Sequence, residues 1–483
     1  MFLSLLCSVL PAAFLPIRSI GFPAEGLPAG SIAPAFVLSL ALICSAVTPA
    51  WSSDQEDSGA LTTYVTRPDE SFAWREAAAG QVGDASYVEL LMTSQTWRGA
   101  PWKHQLFVVR PAKMDPDVHR ALLFIHGGRW KEEYEKPGAR PELPRDAILF
   151  ARLAESLHAP VGILRQVPNG PLFERKDDAL IAYTFDRFLE TGDSQWPLLL
   201  PMVKSAVRAM DVMQEVAKER WSVSIDGFTV TGASKRGWTS WLAAAIDPRV
   251  DAVAPIVIDV LNMQAQMEHQ RATWGDVSDE IRDYSELDLP RRLATEKGRE
   301  LLSIVDPYSY RDRLTKPKLI LLSSNDRYWP LDALKLYWAD LPEPKNVLYV
   351  PNQGHGLRDV NRVIGALSAL HRYAADGKSL PQLSWRFAPA THDLALKVRA
   401  DRPGRVVAWR AYSETLDFRD AHWSSNRCAR SHDEFICRTP RAKQGYTAAF
   451  AEMSFKDSGE VPFSLSTTVC IAGPSTAQST PGC

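Results

Sequence analysis

The chain has few cysteines and none in its long central part. Two of the six, Cys7 and Cys44, lie near the start, and the other four follow position 427. No Cys-x-x-Cys pair, paired-histidine spacing or His-Glu-x-x-His motif occurs, so the sequence gives no support to a metal site. A phosphate-binding P-loop and a Gly-x-Gly-x-x-Gly turn are also missing, which disfavours a nucleotide enzyme. We therefore expect no metal and no cofactor.

Neither sign of charge dominates the sequence. Lysine and arginine total 55 against 57 aspartates and glutamates, which gives a formal net charge of −2. A protein that binds nucleic acid usually carries a basic excess, so we expect no nucleic-acid partner. The hydrophobic fraction of 45% is ample for a large core. The expected partner is a small-molecule, peptide or ester substrate, and the sequence does not indicate an oligomeric state.

Residues 1–50 have the character of a targeting segment. An apolar run at 32–47 is followed by small residues at 48–50, which resemble a signal-peptide cleavage site near Ala50. The alternative is a single membrane anchor, although the run is short for a bilayer span. Lipidation of Cys44 is disfavoured by the isoleucine before it. We expect an exported protein, periplasmic or extracellular, with no stable membrane span after processing.

The C-terminal cysteines indicate an oxidising compartment. Four of them, an even number, are confined to one end of the chain, at Cys428, Cys437, Cys470 and Cys483. Such a set is typical of disulfides in an exported module. Sequential pairing, Cys428–Cys437 and Cys470–Cys483, is the simplest of three possibilities.

Strand and helix patterns alternate through most of the chain. Short apolar runs bounded by glycine or proline predict strands at 105–110, 121–125, 161–167, 228–232, 252–260, 318–326 and 346–352. Helical periodicity appears at 144–158, 197–219, 238–245 and 363–374. This order predicts an α/β domain over 55–376 with a mainly parallel sheet, and the polar segment 263–315 is predicted to be a helical cap insertion. Beyond Lys378 the period changes to two, which predicts a small C-terminal β-sandwich-like domain over 381–475.

The strongest chemical signal is a strand that ends in Gly232-Ala233-Ser234 and leads directly into a helix. A nucleophile elbow has this arrangement, because a sharp strand-to-helix turn lifts the serine above the sheet edge and needs glycine two residues earlier. The usual pattern is Gly-x-Ser-x-Gly. Here Arg236 occupies the second glycine position and Gly237 follows one residue later. The alternative is an ordinary turn that opens a βα unit.

A nucleophilic serine needs a base, and the base needs a carboxylate that orients it. His355 lies between two glycines directly after the 346–352 strand, and Asp326 ends the 318–326 strand. Serine, acid and histidine then follow the chain order of hydrolases with a nucleophile elbow. We predict the triad Ser234–Asp326–His355, with Asp259 and Asp306 as the alternative acids.

Further residues are predicted to surround the substrate. The backbone N–H of Lys235 and the turn His126-Gly127-Gly128 after the 121–125 strand are the expected oxyanion donors, with His126 itself structural. Arg236 beside the serine and Asn169 in the loop 165–172 are candidate substrate contacts. If Lys235 and Arg236 face the pocket, they would favour anionic substrates.

The segment TGASKRGWTSWLAAAIDPRVDAVAPIVIDVLNM (231–263) closely resembles the PhoPQ-activated pathogenicity-related family. The likeness extends to the stretch 178–211, to VPNGPL (167–172) and to NDRYW (325–329). The resemblance implies an α/β-hydrolase core, export in bacteria, and a Ser-Asp-His arrangement at positions 234, 326 and 355. It implies no particular substrate.

Two functional hypotheses follow from these observations. The first is a secreted serine hydrolase, of esterase or peptidase type, that cleaves an ester or amide bond through an acyl-enzyme. The second is a non-catalytic or weakly catalytic binding or signalling protein of the cell surface, built on a hydrolase scaffold.

Overall fold

A computed structural model describes residues 59–136, 146–388, 393–456 and 461–475. All of these ranges belong to one compact unit. The predicted targeting segment 1–50 lies outside them. Within the described ranges, no helix combines the length and the apolar character that a bilayer crossing requires.

One mixed sheet organises the protein. Six neighbouring strands at its centre, β5-β4-β6-β7-β8-β9, pair in parallel, and antiparallel strands extend both edges. The β1-β2-β3 meander pairs with β5 on one side, and β17-β16-β12-β13 continue from β9 on the other. The strands up to β9 are β1 (Ala73–Val82), β2 (Ala85–Trp97), β3 (Ala100–Arg110), β4 (Arg120–Ile125), β5 (Val161–Leu164), β6 (Gly227–Ala233), β7 (Val250–Ile256), β8 (Lys318–Ser323) and β9 (Lys345–Val350).

Helices cover both faces of the sheet, as the apolar runs of its central strands require. Every residue of β5 and β8 is buried, because a parallel strand under helices exposes neither face. The helices α4 and α5 pack together on one face, and α2 and α10 on the other. The helices are α1 (Ala60–Thr66), α2 (Ala147–Leu157), α3 (Asp177–Thr191), α4 (Leu199–Trp221), α5 (Lys235–Ile246), α6 (Met263–Trp274), α7 (Arg282–Ser285), α8 (Leu289–Arg292), α9 (Glu296–Val305) and α10 (Val360–Ala375).

The segment predicted as a cap consists of α6 to α9 joined by short turns and 3₁₀ helices. Three of these helices, α7, α8 and α9, pack against α3 of the core. The side chain of Thr295 accepts a hydrogen bond from the N–H of Gly298 and so caps the N-terminus of α9. This segment therefore rests on the edge of the sheet where the parallel strands end.

The C-terminal strands divide between two sheets. Strands β12, β16 and β17 extend the main sheet, because β17 pairs with β9 through Ser466 and Val347. Strands β10, β11, β15 and β14 form a separate four-stranded antiparallel sheet. The C-terminal strands are β10 (Leu383–Ala388), β11 (Asp393–Ala400), β12 (Arg405–Ser413), β13 (Ser424–Arg427), β14 (Ala429–Ser431), β15 (Glu434–Pro440), β16 (Tyr446–Phe455), β17 (Phe463–Ser466) and β18 (Cys470–Ala472). The domain boundaries drawn from the sequence stay a prediction.

One of the two expected disulfides lies within the described ranges. Cys428 and Cys437 are joined, which connects β15 to the residue between β13 and β14. The other expected pair includes Cys483, which lies outside the described residues, so that pairing stays a prediction.

Candidate active site

Ser234 lies at the bend between β6 and α5 in a backbone conformation that is unusual for a residue with a side chain. Its φ is 57° and its ψ is −129°. Such a conformation costs of order 1–3 kcal/mol and persists only where the surroundings hold it. Two hydrogen bonds do so: the Ser234 N–H donates to Ile256 O on β7, and its carbonyl accepts from Trp238 N. The bend presents the hydroxyl beyond the carboxyl end of the sheet.

The two glycines around Ser234 explain the altered motif. A Cβ on Gly232 would lie 2.8 Å from the backbone carbon of Arg236, so strand and helix approach too closely for a side chain there. A Cβ on Gly237 would lie 2.7 Å from both Gly232 O and Ile258 Cγ2. Gly237 thus provides the close packing at this turn, and Arg236 is tolerated because its side chain points away from it.

His355 and Asp326 form a hydrogen-bonded pair. The Nδ1 of His355 lies 2.9 Å from Oδ2 and 3.1 Å from Oδ1 of Asp326. Since a carboxylate oxygen accepts, Nδ1 carries the hydrogen and Nε2 keeps its lone pair. The carboxylate also accepts from Tyr328 N and from the hydroxyl of Ser323. These contacts fix the imidazole in the tautomer that a general base requires.

Tyr328 packs against the same imidazole. The ring centroids of Tyr328 and His355 are 4.1 Å apart at an interplanar angle of 30°. Burial, with the nearby charge of Asp178 and other carboxylates, raises the pKa of Tyr328 to about 12. The phenol therefore stays neutral, and its ring restricts the rotation of His355.

The C-terminal region holds the loops that carry Asp326 and His355. Asn325 Nδ2 donates to the carbonyl of Ala421 at 2.7 Å, with those of Phe418 and Arg419 within reach. Asn352, on the loop before His355, exchanges two hydrogen bonds with the backbone of Trp423. The neighbours of the predicted acid and base are thus anchored to one segment, residues 418–423.

Ser234 and His355 line one cavity. No hydrogen bond joins their side chains, and His355 Nε2 is buried without a hydrogen-bond partner among the described residues. In hydrolases this contact often shortens only when substrate is bound. The structure therefore brings the three predicted triad residues close together. The hydrogen bond between His355 and Asp326 is formed, and the one between Ser234 and His355 is not.

The cavity is small and mostly apolar, with a volume of about 70 Å³. Core and cap both contribute to its wall. The apolar lining residues are Phe185, Trp238, Ile258, Val260, Met263, Met267, Ile281, Leu289, Pro290, Leu293 and Trp329. The polar ones are Asp178, Ser234, Lys235, Tyr284, Tyr328 and His355.

The two cations beside Ser234 point in different directions. Lys235 lines the cavity, and its Nζ lies 2.8 Å from Asp178 Oδ2. Because successive residues of a helix are rotated by about 100°, the Arg236 side chain points away from the cavity. It donates hydrogen bonds to Val167 O and to the Asp177 carboxylate. Each cation thus has a carboxylate partner from the first turn of α3, and the four charges sum to zero.

The other predicted substrate contacts lie outside the cavity lining. Gly127 packs against Arg236, because an added Cβ would lie 2.5 Å from the Arg236 Nη2. His126 Nδ1 bonds to Gly127 O, and Gly128 has a φ of +135°. Asn169 donates to Lys103 O at 2.6 Å. These residues and Arg236 are therefore not among the described residues that form the cavity wall.

Both alternative acids have other partners. Asp259 is fully buried and accepts a hydrogen bond from the Tyr337 hydroxyl, and burial raises its pKa to about 7. Asp306 accepts from the backbone N–H groups of Met263 and Tyr308 and thereby anchors the start of the cap. Neither carboxyl contacts His355.

Several cavity residues were not predicted from the sequence. Asp178 lies in the first turn of α3, where acidic residues are common because they favour the helix dipole. An aspartate at this position therefore does not by itself indicate a cavity residue. Tyr284 and Met267 belong to the cap, whose contacts need the tertiary fold. Tyr328 follows Asp326 by two residues within the NDRYW stretch, which is the one local signal that was available.

The parallel core, the strand–serine–helix bend and the cap over the sheet edge define a protein of the α/β-hydrolase fold. The family model of PhoPQ-activated pathogenicity-related proteins matches residues 61–419, and the chain belongs to this family. Autocrine proliferation repressor protein A of Dictyostelium discoideum is 31% identical over 405 residues, which cover 79% of this chain and 78% of that protein. The family resemblance and the fold class expected from the sequence are confirmed.

Two acetyl xylan esterases are among the solved structures that match the chain. Acetyl xylan esterase from Paenibacillus sp. R4 matches with a TM-score of 0.43 at 14% identity, over 61% of this chain and 86% of that one. Acetyl xylan esterase 1 from Thermoanaerobacterium matches with a TM-score of 0.44 at 17% identity, over 64% and 92% of the two chains.

The elbow generates a prediction about stability. The change Gly237→Ala should lower the free energy of unfolding by about 1–3 kcal/mol, because the new methyl group overlaps Gly232 O and Ile258. Urea denaturation followed by tryptophan fluorescence measures this value. Gly473→Ala is the matched control, since no atom lies within 4 Å of its added Cβ. Equal stability of the two variants would show that the turn is not tightly packed.

Asp259 generates a prediction about pH. Its folded pKa of about 7 lies above its ordinary value of 3.8, so the folded state retains a proton that the unfolded state loses, and stability falls as pH rises through this window. The Asp259→Asn variant has no such proton to lose, so its stability does not fall in this window. Its free energy of unfolding minus that of the parent should therefore rise by about 2–3 kcal/mol from pH 5 to pH 8. Urea denaturation at both pH values measures this, with the exposed Asp276→Asn as control. Parallel curves for parent and Asp259→Asn would contradict the assignment.

Proposed function

We propose that the protein is a serine hydrolase that cleaves an ester or amide bond through an acyl-enzyme on Ser234. The observation that carries the proposal is the shared cavity. A serine on a strained strand-to-helix bend and a histidine hydrogen-bonded to a carboxylate both face it. The buried and unpartnered Nε2 of His355 is the atom that would accept the serine proton.

The steps follow from these positions. Ser234 Oγ attacks the substrate carbonyl while His355 Nε2 takes its proton, and Asp326 stabilises the imidazolium that forms. Lys235 is the first residue of α5, so its N–H has no acceptor within the helix and is available to the oxyanion. Proton return from Nε2 releases the alcohol or amine, and water then repeats the sequence on the acyl-enzyme. The contribution of Gly127 as a second oxyanion donor stays a prediction.

A second candidate function rests on the curated relative, whose name describes an autocrine repressor of proliferation. In that case the chain would act as a signalling or binding protein on a hydrolase scaffold. Export fits both candidates, since the Cys428–Cys437 disulfide is compatible with an oxidising compartment. Bacterial origin stays an expectation from the sequence, because this relative is from Dictyostelium.

Covalent labelling distinguishes the two functions. A fluorophosphonate probe should label the folded protein at Ser234, because the probe reacts with serines activated by a histidine. Ser234→Ala should abolish labelling, whereas Ser303→Ala, which removes an exposed hydroxyl on α9, should label like the parent. Mass spectrometry of the labelled peptide identifies the site. Absence of labelling in the parent would favour the signalling candidate.

The identity of the acid can be tested separately. Asp326→Asn should lower kcat by a factor of roughly 10³–10⁴, since an amide no longer fixes the imidazole tautomer. Asp259→Asn should leave kcat within about twofold, because Asp259 bonds to Tyr337 and not to His355. The measurement is p-nitrophenyl ester hydrolysis by both variants. If Asp259→Asn loses activity and Asp326→Asn does not, Asp259 is the acid of the triad.

A further inference from the structure

The cavity beside Ser234 limits what an acyl group can be. Its volume is about 70 Å³, roughly half of the ~150 Å³ of a cavity that holds benzene. On that scale an acyl chain of about three or four non-hydrogen atoms fits. The cap residues Met267 and Leu293 form part of the wall, and close-packed walls resist added methylenes.

Charge limits the acyl group further. Lys235 is the one cation among the described residues of the cavity wall, and it lies 2.8 Å from Asp178 with 9% of its side chain exposed. Asp178 also accepts a hydrogen bond from the cap residue Tyr284 at 3.2 Å. Asp178 is thus held between the nucleophile's helix and the cap, and its charge offsets that of Lys235. A substrate carboxylate placed here would have to compete with Asp178 for the lysine.

A second carboxyl lies close to Asp178. Asp283 on α7 of the cap directly precedes Tyr284, which donates to Asp178, and burial, with a contribution from the charge of Asp178, raises the pKa of Asp283 above its ordinary value. Asp283 does not line the cavity, so an anionic acyl group would meet Asp178 in the wall, where Lys235 is the one cation among the described lining residues. Burial of an uncompensated carboxylate in apolar surroundings is strongly unfavourable.

We propose that the site accepts short, neutral acyl groups and that Asp178 sets this preference by neutralising Lys235. This inference rests on the proposed function and adds the substrate class. It replaces the expectation from the sequence that lysine and arginine beside the serine favour anionic substrates. Asp178 is then a specificity-determining residue, and Ser234, His355 and Asp326 carry out the chemistry.

Three esters test the proposal on the parent protein. p-Nitrophenyl butyrate and p-nitrophenyl hemisuccinate have acyl chains of equal length that end in a methyl group and a carboxylate, and p-nitrophenyl octanoate is neutral but too long. We expect kcat/KM for the butyrate ester to exceed that for each of the others by about tenfold or more. A hemisuccinate or octanoate ester that is cleaved as well as the butyrate would overturn the proposal.

The variant Asp178→Asn tests the role of the aspartate. It preserves shape and leaves Lys235 with the more distant Asp177, at 3.7 Å, as its carboxylate partner, so the ratio of butyrate to hemisuccinate kcat/KM should fall by about tenfold or more. Asp193→Asn is the control. It also removes the charge of an aspartate paired with an arginine, Arg98, but at a residue that does not line the cavity and does not contact Lys235, and it should keep the ratio within about twofold. If the ratio is the same in Asp178→Asn and in the control variant, Asp178 does not determine the substrate preference.

Active-site titration separates the possible failures. All rates are divided by the concentration of sites that react with fluorophosphonate, so a variant that folds poorly loses sites rather than changing its ratio. If the parent is not labelled, the proposed function fails. If the parent is labelled at Ser234 but prefers the anionic or the long ester, the function stands and this inference fails.

Discussion

The backbone bend at Ser234 is the constraint on which the arrangement depends. A serine with φ of 57° is held by backbone hydrogen bonds to Ile256 and Trp238, and the two glycines beside it let strand β6 and helix α5 approach closely enough to form the bend. The parallel order of β6, β7, β8 and β9 then brings the loops after these strands to the same edge of the sheet. Ligands in open α/β sheets bind at this edge. The position of the serine therefore follows from backbone geometry before any catalytic side chain is considered.

Around this bend the charged side chains next to Ser234 and His355 have ionic or hydrogen-bond partners among the described residues. Lys235 pairs with Asp178 and Arg236 with Asp177, and the Asp326 carboxylate accepts the Nδ1–H of His355. In a small apolar cavity such pairing is necessary, because an unpaired buried charge is costly. Two polar atoms of the cavity wall, His355 Nε2 and the indole N–H of Trp329, are buried without a hydrogen-bond partner among the described residues. Of the two, the imidazole nitrogen can accept a proton, which is the role that the proposed function gives it.

Much of this was predictable from sequence because its signals are local. The strands and helices of the core have clear periodicity, and Ser234, Asp326 and His355 each follow an apolar strand in the expected order. The direction of the Arg236 side chain and the part played by Asp178 were not predictable, since both depend on how α3 meets α5. The pairing of β17 with β9 was also not predictable, because an alternating pattern identifies a strand but does not specify which sheet edge the strand joins.

The C-terminal strands support the site as well as extending the sheet. Asp326 and His355 lie on loops, and a loop alone would leave them loosely held. Asn325 and Asn352 connect these loops to backbone atoms of residues 418–423, and the Asn325 N–H donates to the carbonyl of Gln353, which joins the two loops directly. Because β12, β16 and β17 extend the main sheet, that segment is fixed relative to β8 and β9. The C-terminal region therefore holds in place the two loops that carry Asp326 and His355.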